Sequence, residues 1–120
     1  MKQILWNKRP EAHNYPAAAS YLSLIYEESV IAPMINKLKK APLTEYKAKD
    51  IFRSSGLSLL GVSNSHVSKD RKKIKNGDML SPILLVRDSA NRKLIIADGY
   101  HRLCAVYSFN EDALIPCKII

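Results

Sequence analysis

The chain has 120 residues, 47% of them hydrophobic and 25% charged, the balance of a globular chain with one core rather than of a disordered or disulfide-stapled one. Its formal net charge of +8 admits nucleic acid, an anionic membrane surface or a polyphosphate ligand as partner and does not choose among them. No apolar run reaches spanning length and no secretory h-region follows Met1, so the expectation is a cytoplasmic protein with no membrane partner.

Residues 1–16 read as an arm without periodicity, which Trp6 and Tyr15 can anchor on the domain. Over residues 17–38 the pattern is helical: Leu22, Tyr26, Val30, Met34 and Leu38 recur every fourth residue, and Ile25 widens the stripe. Pro33 lies inside that run and is expected to kink the helix or split it. Lys37, Lys39 and Lys40 suit the negative end of a helix dipole, and Pro42 follows as a stop. Thr44 is a good N-cap for a short helix through Ser54, with Ile51 and Phe52 facing inward and Gly56 ending it. Residues 57–62 form an apolar connector. Ser65 then caps a basic surface helix over residues 66–76, which Gly77 ends.

The last part of the chain is denser in apolar residues. The run Ile83-Leu84-Leu85-Val86 after Pro82 reads as a buried strand, Asp88-Ser89-Ala90-Asn91 as a turn, and Leu94-Ile95-Ile96-Ala97 as the second strand of a β-hairpin. Residues 100–109 read as a helix with Leu103, Val106 and Tyr107 on its buried face. Residues 115–120 read as an edge strand, since Pro116 lies near its start. Cys104 and Cys117 form no CxxC pair and have no metal-ligand spacing, so both are expected to be reduced and buried. The expected fold class is α+β in a single domain over residues 1–120, with a mainly helical part over 1–56 and a core over 57–120.

Chemistry concentrates at Asp98-Gly99-Tyr100-His101-Arg102, where a strand turns into a helix. Asp98 can cap a helix that begins at Gly99. The first four N–H groups of a helix lack internal partners, and the helix dipole adds positive charge there. Gly99 lets a ligand approach the backbone. Arg102 offers a planar fork for phosphate oxygens, and His101 can donate a hydrogen bond or act as acid or base near neutral pH. Two basic side chains at a helix start carry a cost on the order of 0.3–1 kcal/mol, which a bound anion would offset. The plain alternative is a common Asp-Gly turn followed by a packed histidine.

This turn continues into Leu103-Cys104-Ala105, and upstream of it come a basic helix ending near Gly77, then Leu80-Ser81-Pro82-Ile83-Leu84-Leu85-Val86 and a hairpin. Motif and order resemble the ParB/sulfiredoxin-like superfamily, which includes ParB-like nuclease domains, over roughly residues 60–120. The resemblance implies a nucleotide-binding α+β domain with a small mixed sheet, a β-hairpin and flanking helices, and it does not reach the helical first half. In sulfiredoxins a Gly-Cys-His-Arg motif holds ATP phosphates and carries the catalytic cysteine. Gly99, His101 and Arg102 match it, but Tyr100 takes the cysteine's place and Cys104, one turn on, does not replace it, which argues against sulfinic-acid reduction. In ParB-type proteins Gly-Glu-Arg-Arg-x-Arg-Ala binds a CTP triphosphate. Gly99, Arg102 and Ala105 match, while Tyr100, His101 and Cys104 depart. ADP- or ATP-dependent small-molecule kinases carry Asp-Gly-His-His-Arg, from which Tyr100 is the departure.

The family's upstream helix also supplies phosphate contacts from one face. Here His66, Lys69 and Lys73 share a face, and a lysine is a suitable point charge for a phosphate. The plain alternative is a solvated basic helix. A phosphoryl-transfer enzyme further needs a carboxylate, for Mg²⁺ or as base. Asp98 is nearest the cradle, and Asp70, Asp50 and Glu45 are the other candidates. Ser81 suits a turn, or the rim of the pocket.

The expected site is therefore Asp98 and His101 as catalytic groups, with Gly99, Tyr100, His101, Arg102, Lys69 and Lys73 binding a nucleotide phosphate, and no metal-ligating cluster. The ligand expected is ATP, ADP or CTP with Mg²⁺, and the activity phosphoryl transfer or nucleotide hydrolysis. One alternative is a DNA-binding or nuclease module that uses the basic helix 66–76, although no helix-turn-helix segment is legible after the motif. Another is a non-catalytic regulatory protein with the helical first half as partner surface. An oligomer is compatible with all three.

Overall fold

The apolar run after Pro82 decides the architecture. In the computed structural model, which describes residues 3–120, it becomes a strand buried over Ile83 to Val86, and such a strand must be covered on both faces. In chain order the elements are α1 (Asn14–Leu22), α2 (Glu28–Lys40), β1 (Thr44–Lys47), α3 (Ala48–Ser55), α4 (Ser65–Asn76), β2 (Ile83–Asp88), β3 (Lys93–Asp98), α5 (Tyr100–Phe109) and β4 (Leu114–Ile119). The result is an α+β domain around a four-stranded mixed sheet ordered β1-β4-β2-β3. The pair β2–β4 is parallel, and β1–β4 and β2–β3 are antiparallel. No helix among the described residues is long and apolar enough to cross a membrane.

Strand side chains alternate between faces, so the sheet carries two cores. On one face Ile83, Leu85, Ile96, Ile115 and Cys117 meet Ile51 of α3, Val67 and Ile74 of α4, and Leu103 and Val106 of α5. On the other, Leu84, Val86, Ile95 and Ala97 meet Ala18 and Leu22 of α1 and Ile31 and Leu38 of α2. Full burial of each large aliphatic side chain stabilises by roughly 1.5–3 kcal/mol. The helical first half is thus half of the sandwich: without α1 and α2 one face of β2 and β3 would meet water. The arm is tied down as well. Trp6 and Leu80 form a parallel bridge, flanked by Asn7 N to Leu80 O and Leu80 N to Leu5 O, both 2.8 Å. Trp6 packs on the first core and Tyr15 on the second. Residues 1 and 2 of the arm lie outside the described residues.

Four sequence expectations change, each for a physical reason. The long helix splits at residues 23–27, where Ile25 N and Tyr26 N both bond to Leu22 O, and not at Pro33, which lies inside α2. Pro33 and Ser29, whose carbonyl it deprives of a helical donor, are both exposed, so water can take that role. Thr44 does not cap a helix. It opens β1 opposite Cys117, and α3 starts at Ala48, where the carbonyls of Ala113 and Glu111 accept from Ala48 N and Lys49 N, each at 2.9 Å. These carbonyls do the work expected of a cap side chain. Asn64, not Ser65, caps α4, its Oδ1 accepting from His66 N at 3.0 Å and Val67 N at 3.2 Å. Finally, β4 is an interior strand. Pro116 precedes its ladder with β2, which runs from Cys117 to Ile119, so the missing N–H falls outside that ladder.

Candidate functional site

β3 hands over to α5 at Gly99. The β2–β3 register sets Leu84 opposite Asp98 but Leu85 opposite Ile96, leaving Ala97 as an extra residue that re-aims the turn. Gly99 has φ +113 and ψ 17, a backbone that side-chain-bearing residues rarely adopt. A Cβ there would overlap Cγ2 of Ile83 and lie 2.8 Å from its Cβ and 2.9 Å from Nη2 of Arg102. The glycine is thus demanded first by the fold. Gly99 is also the N-cap of α5, and no side chain caps that helix, so the expected capping role of Asp98 is not what the carboxylate does. Asp98 instead forms an ion pair with Nη2 of Arg102, one helical turn on.

Arg102 is fixed from three segments of the chain. Besides Asp98 of β3, its Nη1 donates to the carbonyl of Ser81 at 2.9 Å and to Oδ1 of Asn14 in α1 at 3.4 Å. The Ser81 hydroxyl in turn donates to Asn14 Oδ1 and accepts from Glu11 N at 3.0 Å. Asn14 and Ser81 are both buried, so this network sets the guanidinium in one place. Burial raises the Asp98 carboxyl above its usual range, with the Arg102 charge pulling the other way. Ser81 therefore does more than turn the chain. Glu11, His13 and Asn14 were not among the expected site residues, because the arm has no periodicity to say which way they point.

These groups line a cleft of about 240 Å³ between α4 and the start of α5. Gly99, Tyr100, His101 and Arg102 face it from one side, and His66, Lys69, Asp70 and Lys73 from the other. The arm contributes Glu11 and His13, whose Nδ1 lies 3.3 Å from Glu11 Oε2. The rings of His66 and His101 stand 4.8 Å apart, tilted by 40°. Burial, then the neighbouring His66, lowers the His101 pKa, and Asp70 opposes them. Tyr100 donates its hydroxyl to the carbonyl of Ser58, so this residue braces the 57–62 connector against the cleft. Arg71 faces elsewhere: it bonds Ser108 and sits 4.2 Å from the Phe109 ring centroid, docking α4 on α5. Asp50 and Glu45 do not line the cleft.

The arrangement offers an anion two kinds of donor, the first backbone N–H groups of α5 and two lysines one helical turn apart, while Arg102, bonded to Asp98, Ser81 and Asn14, adds its positive charge. It does not fit a protein-held Mg²⁺. Glu11 is paired with His13 and Asp98 with Arg102, leaving Asp70. Among the described residues no three His, Cys, Asp or Glu side chains are grouped so as to hold a metal ion. No family model, curated protein or solved structure matches the chain.

Proposed function

We propose that this cleft binds the phosphate chain of a nucleotide, ATP, ADP or CTP. One observation carries the reading: Lys69 and Lys73 of α4 meet His101 and Arg102 of α5 across one recess, although some 30 residues separate them in sequence. The cavity of about 240 Å³ is smaller than those that enclose a whole drug-sized ligand, so a phosphate chain would enter and the nucleoside would stay at the mouth. The resemblance to the ParB/sulfiredoxin-like superfamily supports the same ligand, and Tyr100 keeps sulfinic-acid reduction out of it. For phosphoryl transfer or hydrolysis, His101 is the group suited to hydrogen-bond a phosphate oxygen and to act as the acid that protonates a leaving oxygen. Asp98 acts through Arg102, which it orients. The basic face of α4 also suits a nucleic-acid backbone, but Arg102 sits in the recess at 13% exposure, where a terminal phosphate reaches it and a duplex does not.

A thermal-shift panel of ATP, ADP and CTP, with and without Mg²⁺, tests the proposal. Ligand at about ten times Kd stabilises by about 1.4 kcal/mol, a rise of roughly 4–7 °C in a domain of this size. Arg102 is structural, so the exposed lysines make cleaner probes. Lys69→Ala and Lys73→Ala are expected to weaken binding roughly three- to tenfold each, and Lys72→Ala, outside the cleft, to leave it unchanged. No shift with any nucleotide defeats the proposal. Binding to DNA alone, steeply lost with salt, would favour the nucleic-acid alternative.

A further inference from the structure

The chain has three histidines, at positions 13, 66 and 101, and all three line this one cleft. Its permanent charges cancel: Lys69, Lys73 and Arg102 are balanced by Glu11, Asp70 and Asp98. With its imidazoles neutral, the cleft is therefore formally uncharged in a protein of net charge +8. Its attraction for an anion depends on the protonation of the histidines.

We propose that the cleft takes up its phosphate ligand together with protons, and that His66 and His101 are the residues that acquire them. This deepens the nucleotide-phosphate reading and rests on it. With ring centroids 4.8 Å apart, two imidazolium ions would repel each other unless an anion lay beside them. Other groups act in the same sense. Lys69 and Lys73 of α4 and Arg102 of α5 disfavour a further positive charge, and only the carboxylates of Asp70, Asp98 and Glu11 favour one. Tyr100, 5.8 Å from His101, is a neutral neighbour, its phenol pushed up by burial. Burial already holds His101 below the ordinary histidine value in the free protein. His13 differs: it is 75% exposed and carries its own carboxylate partner in Glu11, so it gains less from a ligand.

A phosphate placed between α4 and α5 adds negative charge beside the pair. Each imidazole then binds its proton more tightly in the complex than in the free protein. Binding is strongest below the free pKa of His101 and is lost as pH rises through its value in the complex. Each proton taken up contributes up to about a tenfold weakening per pH unit within that window.

Titration calorimetry of ADP against the full chain, from pH 5.5 to 8.5 in buffers of differing ionisation enthalpy, reads both affinity and proton uptake. The expected result is a Kd that weakens steadily from pH 6 to 8, with net proton uptake. His66→Gln and His101→Gln should each flatten that profile, and His13→Gln should not. The terminal phosphate of free ADP titrates identically in every experiment, so the difference in slope between proteins reports the histidines and their coupling to the bound phosphate. Unfolding midpoints check that each variant folds, and His66, which is exposed, is the safer site. If ADP binds with the same slope in wild type and both variants, proton coupling through this pair is overturned and the nucleotide reading stands. If none of ADP, ATP and CTP binds wild type at any pH, the nucleotide reading itself falls.

Discussion

Gly99→Ala is the most direct probe of how the cleft is held. Two costs add. The backbone at φ +113 lies beyond the region that non-glycine residues enter readily, a strain of roughly 1–3 kcal/mol. The new methyl would also overlap Cγ2 of Ile83 and crowd Nη2 of Arg102 at 2.9 Å, and forced overpacking costs about 1–3 kcal/mol. Ile83 belongs to the central strand and is fully buried, so it has no free space to yield into. The sum, about 2–6 kcal/mol, corresponds to a midpoint lowered by roughly 8–24 °C. Urea unfolding measures it directly. A double-mutant cycle separates the causes: Ile83→Ala costs about 2–5 kcal/mol alone, but it removes the worst overlap. In the Gly99→Ala background it should therefore cost at least about 1 kcal/mol less. A Gly99→Ala protein within about 0.5 kcal/mol of wild type would refute the reasoning, and strict additivity would assign the loss to φ and the Arg102 contact rather than to Ile83.

The remaining predictions concern the two helices that face the cleft. Asn64→Ala removes the acceptor for His66 N and Val67 N and should cost about 1 kcal/mol in thermal unfolding, whereas Ser65→Ala should be close to neutral. Asp98→Asn removes a negative charge beside Arg102 and should tighten nucleotide binding roughly three- to tenfold by calorimetry, since the amide oxygen can still accept from Nη2. Because the Asp98 carboxyl is raised, the stability tied to its titration is present below its unfolded value of about 3.9 and lost as pH rises through the folded value. The stability of Asp98→Asn relative to wild type should thus improve from pH 4 to pH 7 in urea unfolding.

What could be read from the sequence follows the range of the interactions involved. Residues 100–109 and the hairpin are set by local periodicity and by Asp88-Ser89-Ala90-Asn91, and they form as α5 and β2–β3. Gly56 and Gly77 end α3 and α4 at φ +69 and +77, as chain-local stop signals should. Thr44 was misleading because the atoms that start α3 are the carbonyls of Ala113 and Glu111, more than 60 residues away. The interior position of β4 was illegible for the same reason: one proline near a strand start is compatible with an edge, and only the parallel pairing with β2 removes that option.

The cleft divides along the same line. Gly99, His101 and Arg102 were legible because they are consecutive in a strand-to-helix turn, and Lys69 and Lys73 because helical spacing puts them on one face. What fixes Arg102 was not. Asn14 and Ser81 are 67 positions apart in sequence, and neither belongs to a pattern that would pair them. Their joining has a mechanical consequence. Asn14 is the first residue of α1, the helix that covers the opposite face of the sheet, and its Oδ1 accepts from both Ser81 and Arg102. The far layer of the fold therefore reaches around the sheet to the arginine at the base of the cleft. That explains why an arm with no periodicity carries two buried or paired polar residues, Asn14 and His13, so close to its junction with α1. It also makes the helical first half part of the site, since α1 positions the guanidinium that a phosphate would meet.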